Sequence, residues 1–419
     1  MKRTVVTGMG VASPAGSGTD NFFNNLLNCV SGIRPIAAPL GDRLKLRLGA
    51  QVSDCIENSF GVRSASVDRF SALALSAVQE AWCQSGAANQ CPPEQTGVYF
   101  GTGFGGAATV ETGYTDLFVK NTNRMHPLSV LSAMPNAAAA NIALALGCKG
   151  PCLTYAVACA SGAVAIGEAS RAIQSGAVTM AVAGGTEAPL SLVILKAWEG
   201  LMALALEDRE RPETSCRPFA KDRTGLVLGE GAGALVLEEY EHARARGAPI
   251  LAEIAGYGLS NDATHLSKPD AEGQAAAMRA ALREAALTGI GANDIAYLNA
   301  HGTATKAGDQ TETESIKRAF GEHARTLPVS STKALHGHLL GAAGAVEFIA
   351  ALLALTRSVA PPTAHLWQAD PACDLDYIPL EPRELKSPAA VMSNSFAFGG
   401  CNAVLIAKSV APSSALRAT

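Results

Sequence analysis

Three residues carry the chemistry that this sequence can be read for: Cys159, His301 and His338. Cys159 stands in "YAVACASGAVAIGEASRAI", between an apolar run and a series of Ala, Gly and Ser. The run before it reads as a strand and the run after it as a helix stopped at Gly176, which sets the sulfur at a helix N-terminus. The partial positive charge and free N–H groups of such an end lower a thiol's pKa and can hold an oxyanion. Small neighbours leave room for a substrate carbonyl, the setting of an acyl-thioester nucleophile. A buried, inert thiol in front of a helix is the plainer reading of this segment alone. The histidines alter that balance. His301 follows a strand in "AYLNAHGTATKAGDQTE", and His338 opens a helix in "SSTKALHGHLLGAAGAVEF", five residues after Lys333. Ends of strands are where α/β proteins place functional side chains. His336 and His338 invite a metal reading, but no carboxylate or cysteine stands at ligand spacing beside them, so no metal site is expected.

Two glycine turns are further candidates. In "NSFAFGGCNAVLI", Gly399 and Gly400 follow Phe398 between two strands; the turn offers backbone N–H groups and an aromatic lid, or is simply a tight hairpin. "FGTGFGG" contains G-x-G-x-x-G at Gly101, Gly103 and Gly106. A dinucleotide site would need a second strand ending in an acid about 20 residues on, and none follows.

The elements that position these residues alternate between strand and helix. "TVVTG", "TGVYFG", "CLTYAV", "VTMAVAGG", "GAGALVLEE", "ILAEIAGYG", "IAYLNAHGT", "PVSS" and "AAVMSNSF" read as strands. "FSALALSAVQEAW" and "AAAMRAALREAAL" have helical apolar spacing. This alternation predicts an α/β protein with largely parallel central sheets. The halves echo each other, since "SGAVAIGEASRAI" after Cys159 resembles "LGAAGAVEFIAAL" after His338. Two such small-residue helices predict close packing at the centre of a duplicated fold. The expected division is 1–250, 251–410 and a disordered tail at 411–419.

The totals exclude several classes. The chain has 419 residues, enough for two cores, and its formal charge of -4 gives no support for wrapping nucleic acid. The ten cysteines form no CxxC pair, which fits thiols in a reducing compartment, and a cytoplasmic location is expected. No apolar run reaches about 18 residues, so no membrane span is expected; the longest candidate, "VEFIAALLAL", carries Glu347. The N-terminus has no long apolar segment of the kind a signal peptide needs.

With these residues in hand, the chain resembles the elongating β-ketoacyl-[acyl-carrier-protein] synthases. The resemblance runs almost the full length, through "VVTGMGVASPAG", "VDRFSALALSAVQEA", "ACASG", "RPFAKDRTGLVLGEGAGALVLEEYEHARARGA", "NAHGTATKAGD", "STKALHGHLLGAAGAVE" and "NSFAFGGCNA". It implies a thiolase-like fold, a duplicated αβαβα sandwich of five layers, usually dimeric. It implies that Cys159 takes the acyl chain from the carrier protein's phosphopantetheine thioester. His301 and His338 would then promote malonyl decarboxylation and stabilise the enolate, with Lys333 supporting them electrostatically and Glu347 behind the site. Thr303 and Thr305 would bond the phosphopantetheine arm. Phe398 would be the gate, its N–H joining that of Cys159 as the oxyanion hole, with Gly399 and Gly400 beside the substrate. No metal, nucleotide or flavin is implied; the partners are an acyl carrier protein and a second, identical or related subunit.

The chain also departs from the family's pattern. Ala160 follows the nucleophile where Thr is frequent, and Ala397 and Cys401 stand where Gly and Thr are common. Phe104 replaces an aliphatic residue at the acyl pocket and is expected to shorten it. Glu207 and Asp208 stand where basic residues meet the carrier, leaving Arg209, Arg211, Arg63 and Arg69 as candidate cations. Three alternatives stand beside an elongating synthase. One is a specialised polyketide or aryl polyene ketosynthase, paired with a chain-length subunit. Another is a non-catalytic chain-length subunit, against which Cys159 and both histidines argue. The third is a thiolase or cysteine-dependent hydrolase using Cys401, which the histidine pair disfavours.

Overall fold

The computed structural model describes residues 1–53, 59–62 and 67–410. The tail beyond 410, expected to be disordered, and Arg63 lie outside the described residues. Ten strands form the body of one sheet: β1 (Thr4–Ser13), β2 (Thr96–Gly101), β3 (Cys152–Tyr155), β4 (Met180–Glu187) and β5 (Gly231–Glu239), then β6 (Ala252–Asn261), β7 (Ile295–Asn299), β8 (Val329–Ser330), β9 (Ala390–Phe396) and β10 (Cys401–Lys408). Their order across the sheet is β3-β2-β4-β5-β1-β6-β10-β9-β7-β8. The second five strands repeat the order and the directions of the first. In each half the outer two pairings are parallel, β2 with β3 and β4, β7 with β8 and β9. The inner pairings are antiparallel, β4/β5 and β5/β1 against β9/β10 and β10/β6. The halves join through a short antiparallel contact, Val5↔Glu253 and Val6↔Ala252.

The duplication expected from the two small-residue helices is therefore present in the topology. The sheet is mixed, which corrects the expectation of a largely parallel one. The β9/β10 hairpin accounts for part of this, because a four-residue link cannot make a parallel crossover.

Six helices matter for the site: α1 (Arg69–Ser85), α2 (Ser161–Ser175), α3 (Leu192–Leu201), α4 (Ala271–Ala286), α5 (Lys306–Phe320) and α6 (Ala343–Arg357). α1 covers β1 and β5, and α4 covers β6 and β10, while α2 and α6 pack on each other between the halves. The outer helices sit on glycines. A Cβ at Gly8 or Gly10 would lie 2.0 Å from the carbonyl oxygen of Ala81 or Ala77; at Gly256 or Gly258 it would lie 2.3 or 2.0 Å from that of Ala281 or Ala277. At the centre, a Cβ on Gly344 would come within 2.8 Å of the Ala163 nitrogen, and one on Gly162 within 3.0 Å of the Ala345 nitrogen. This close approach is what the Ala/Gly runs after Cys159 and His338 permit.

α2 ends at Gly176 with φ 81, the left-handed stop read from the sequence. α6 is buried from Ala343 to Leu355, as a helix apolar on all sides must be. The helical stretch Leu340–Arg357 is long and apolar enough to cross a membrane, a length the sequence reading did not find; 89% of it is buried inside the protein, where it forms the core.

Candidate active site

Cys159 lies in the turn Ala158–Ala160 between β3 and α2, with Ala158 held at a positive φ of 46°. Ser161 fixes this elbow: its hydroxyl accepts from Val157 N–H at 2.9 Å and donates to the Ala158 carbonyl at 2.7 Å. The thiol is buried, 5% exposed, and the Phe398 backbone N–H hydrogen-bonds it. The sequence places this sulfur at a helix end, which lowers a thiol's pKa. The structure adds full burial, which wins: it pushes the thiol up to about 12, against the pull of the Lys333 charge and the Phe398 N–H. The resting nucleophile is therefore a neutral thiol that must lose its proton as it attacks.

His338 is placed to take that proton. Its Nε2 lies 3.0 Å from the Cys159 sulfur. Its backbone is pinned on both sides, the N–H to the Val227 carbonyl at 2.7 Å and the carbonyl to Gly229 N–H at 3.0 Å. The His301 ring stands edge-on to it, 5.3 Å between centroids and 83° between planes. One nitrogen from each ring and the sulfur all lie within 4.8 Å of one another. Burial, then the Lys333 charge, then a neighbouring histidine hold each ring far below the ordinary histidine value. Both imidazoles are neutral, so each has one N–H to donate and one bare nitrogen.

Lys333 sets the orientation of His301. Its ammonium lies 2.5 Å from Glu347 Oε1, donates to the His301 carbonyl at 2.6 Å, and sits 3.5 Å from His301 Nδ1. A cation beside Nδ1 favours a bare nitrogen there and so assigns the His301 proton to Nε2. Glu347 is buried behind Lys333, and burial raises its carboxyl to about 7 despite that partner. The other histidine of the "HGH" run, His336, has both nitrogens engaged, Nδ1 to the Gly337 carbonyl at 2.7 Å and Nε2 to Thr332 Oγ1 at 2.9 Å.

A cleft of about 250 Å³ opens onto these groups, lined by Cys159, His301, His338, Thr303, Thr305, Phe398 and Gly400 among others. The Thr303 and Thr305 hydroxyls are 3.0 Å apart on its wall. Phe398 stacks on Trp198 of α3, 5.8 Å between centroids with the planes 25° apart. Gly399 donates its N–H to the Leu266 carbonyl at 2.8 Å, and Asp262 accepts from Asn402 Nδ2 at 2.6 Å, which ties the 262–269 segment to the turn that carries Phe398.

Some expectations fall elsewhere. Phe104 is not among the residues lining this cleft, and its side chain is 46% exposed within the single chain. The glycine turn before it binds no phosphate with its N–H groups: Gly103 and Phe104 donate to Glu187 at 2.7 and 3.0 Å, and Gly341 donates to the same carboxylate at 3.0 Å. Arg69, a candidate carrier contact, is held by Glu230 at 2.5 and 2.7 Å.

Sequence reasoning missed the acids beneath His301. Glu312 of α5 accepts from the His301 and Gly302 backbone N–H groups at 2.8 and 2.7 Å, and from Asn394 Nδ2 at 3.1 Å. Asp309 accepts from Phe219 N–H at 2.7 Å and Ala304 N–H at 3.1 Å, and meets the buried Arg223 at 3.2 Å. The available signal was the i, i+3 pair of acids in "GDQTE", four and seven positions beyond Thr305.

A thiol against one neutral imidazole, with a second imidazole aimed into the same space, can capture an acyl group and then donate two N–H groups to a developing oxyanion. Comparison with known proteins accords with this geometry. The family model described as "Beta-ketoacyl synthase, N-terminal domain" matches residues 1–243, and "Beta-ketoacyl synthase, C-terminal domain" matches residues 251–367. Nodulation protein E of Rhizobium meliloti (strain 1021) is 45% identical over 98% of this chain and 100% of its own length. The 3-oxoacyl-[acyl-carrier-protein] synthase 2 of Staphylococcus aureus (strain COL) is 41% identical over 97% of this chain and 98% of its own. A solved complex, "AntDE:AntF (apo): type II PKS acyl-carrier protein in complex with its ketosynthase bound to the hexaketide", contains a chain of TM-score 0.89 and 31% identity, covering 98% of this chain and 100% of that one. A duplicated sheet, a thiol facing two imidazoles and matches along both halves lead to one assignment: the chain belongs to the β-ketoacyl synthase family of thiolase-like condensing enzymes, acyltransferases that form carbon–carbon bonds.

Proposed function

We propose that the chain is a 3-oxoacyl-[acyl-carrier-protein] synthase, its halves 1–250 and 251–410 supplying the nucleophile and the histidine pair. Cys159 attacks an acyl-carrier thioester, its proton leaves toward His338, and the carrier thiol departs, leaving an acyl thioester on Cys159. A malonyl-carrier thioester then enters along Thr303 and Thr305 and loses CO2. The electron pair of the broken bond becomes an enolate, whose oxygen receives N–H groups from His301 and His338. The enolate carbon attacks the acyl carbonyl, the oxyanion meets the N–H groups of Cys159 and Phe398, and collapse expels the Cys159 thiolate and yields 3-oxoacyl-carrier. Uptake of one proton restores the thiol.

The observation that carries this reading is the 3.0 Å approach of His338 Nε2 to the Cys159 sulfur beside a second neutral imidazole. Losing CO2 generates the carbon nucleophile without a strong base, which suits two histidines that rest neutral. A cytoplasmic, dimeric enzyme, with an identical or related second subunit, completes the proposal. A specialised polyketide or polyene synthase is the second reading, favoured by the likeness to a polyketide ketosynthase chain.

The test is intact-mass analysis with acyl-carrier and malonyl-carrier thioesters. Cys159→Ala is expected to take up no acyl group, His301→Ala to be acylated yet release no CO2, and His338→Ala to be acylated more slowly and release no CO2. An acyl adduct persisting on Cys159→Ala, or undiminished CO2 from both histidine variants, overturns the assignment. The products distinguish fatty-acyl from polyene or polyketide chains.

A further inference from the structure

The duplication gives the Cys159 elbow a counterpart in the second half. α2 follows the turn Ala158–Ala160 and α6 follows the turn Leu340–Ala342, and each helix is 15 residues long. A reciprocal contact fixes the register between them: a Cβ on Gly162 meets the Ala345 nitrogen at 3.0 Å, and one on Gly344 meets the Ala163 nitrogen at 2.8 Å. In that register Ala158 corresponds to Leu340 and Cys159 to Gly341. The backbone agrees, since Ala158 and Leu340 share a φ of 46°, a strained value for a residue with a Cβ.

The nucleophile's place in the second elbow is closed. A Cβ at Gly341 would lie 2.6 Å from the Gly103 nitrogen and 2.8 Å from Glu187 Oε2. What faces Gly341 is a carboxylate. Glu187 ends β4 and is fully buried. Its Oε2 accepts from the Gly103 and Gly341 N–H groups at 2.7 and 3.0 Å. Its Oε1 accepts from the Phe104 N–H and the Thr102 hydroxyl, each at 3.0 Å. Four donors on one carboxylate suit the ionised form, which has only acceptors to offer. Burial raises this carboxyl against the pull of the same four donors. The N–H that corresponds to that of Cys159 is thus spent on an anion from the chain itself.

We propose that this second elbow is an anion site filled by the protein's own Glu187 carboxylate, and that Glu187 is thereby a positioning residue for the turn that carries His338 and Leu340. Leu340 stands two residues after His338 and packs in the same apolar cluster as Cys159. Its strained φ persists only where the surroundings over-determine it, and the bond from Gly341 N–H to Glu187 is one such constraint. That bond also ties β4 and the turn after β2 to the catalytic turn of the other half. Removing the carboxylate leaves three backbone N–H groups and a hydroxyl unpaired around a small space. A small monocarboxylate such as formate offers the two oxygens those donors require. The anion site stands by itself, while the positioning role rests on the function proposed above.

The test uses Glu187→Ala and Glu187→Gln in the full-length chain, with sodium formate as the probe and sodium chloride at equal concentration as the control. Glu187→Ala is expected to slow Cys159 acylation about tenfold by intact mass, as the turn shifts. Formate at about 200 mM is expected to restore at least about threefold of that loss, and to raise the Tm of Glu187→Ala by about 1–2 °C over chloride. Glu187→Gln fills the space with a side chain, so its acylation and Tm are expected to respond to formate no more than those of the unaltered chain. A merely structural loss would not be repaired by a carboxylate in one variant and not in the other. If Glu187→Ala is recovered unfolded, its refolding yield in formate against chloride reads the same site. No advantage of formate over chloride in Glu187→Ala, or an equal advantage in Glu187→Gln, overturns the proposal. If the unaltered chain takes up no acyl group, the proposed function fails, while the Tm comparison still decides the anion site.

Discussion

Lys333 Nζ lies 2.5 Å from Glu347 and 2.6 Å from the carbonyl oxygen of His301, and all three residues are buried. The ammonium thus joins α6 to the turn after β7, and its charge beside Nδ1 keeps the catalytic ring neutral. Lys333→Met would leave the Glu347 carboxylate without its partner, a loss of about 3–5 kcal/mol for a buried pair. Glu347 can escape by holding a proton, since burial already raises it to about 7 and losing Lys333 raises it further. A carboxyl raised in the folded state gives stability that is present at low pH and lost as pH climbs through the folded value. The Tm deficit of Lys333→Met is therefore expected to be larger at about pH 8 than at about pH 6. An equal deficit at both pH values, in calorimetry against the unaltered chain, would remove Glu347 from the account.

The two neutral imidazoles predict a pH profile. Burial, the Lys333 charge and the neighbouring rings hold His301 and His338 well below the ordinary histidine value. Decarboxylation that needs their bare nitrogens and single N–H groups does not switch off where a free histidine protonates. CO2 release from malonyl-carrier is expected to be flat through about pH 6.5, with no acid limb centred there. A limb at that position would mean that at least one ring titrates like a solvated histidine.

What was legible in the sequence follows from which features leave a local mark. Cys159, His301 and His338 each stand in a short run of small or turn-forming residues at the end of an apolar segment, and the structure brings all three within 4.8 Å. The Ala and Gly runs of α2 and α6 announce close packing because only small side chains permit it. Strand direction leaves no such mark: β4 and β5 are as apolar as a parallel core pair, so the mixed sheet was not predicted, although the Gly399–Gly400 hairpin does signal one antiparallel pairing. Glu312 and Asp309 were hidden for a different reason. α5 is polar along its length and reads as exposed, but the loop with His301 folds back and turns these acids into buried acceptors for its N–H groups. Phe104 lies outside the lining of the cleft, since a sequence shows that a side chain is bulky without showing which surface it joins.

Glu312 makes its own prediction. Its two oxygens accept from His301 N–H, Gly302 N–H and Asn394 Nδ2. Glutamine keeps the shape but sets an NH2 group against one of these donors, a mismatch of about 1–3 kcal/mol in a buried site. The backbone that aims His301 then shifts, while the Cys159–His338 contact is carried by other elements. Glu312→Gln is expected to lower CO2 release about tenfold, the rate equivalent of such a displacement, with Cys159 acylation nearly unaltered. A parallel fall in both steps would show a general loss of folding rather than a displaced His301.

The duplication can be tested through its glycines. A Cβ at Gly10 would lie 2.0 Å from the Ala77 carbonyl oxygen, and one at Gly258 would lie 2.0 Å from that of Ala277. Gly10 sits under α1 in the first half and Gly258 under α4 in the second, each against backbone that no rotamer change can move aside. Either glycine-to-alanine change must push a helix off its sheet, and overpacking of this kind costs about 1–3 kcal/mol. Because the two contacts repeat one geometry, Gly10→Ala and Gly258→Ala are expected to lower Tm by similar amounts. Gly289→Ala is the control: its Cβ meets nothing within 4 Å, although its φ of 83° strains any side chain, so its loss isolates the backbone effect from the clash. If Gly10→Ala and Gly258→Ala lose no more than Gly289→Ala, the outer helices are not seated on these glycines and the equivalence of the halves lacks its packing basis.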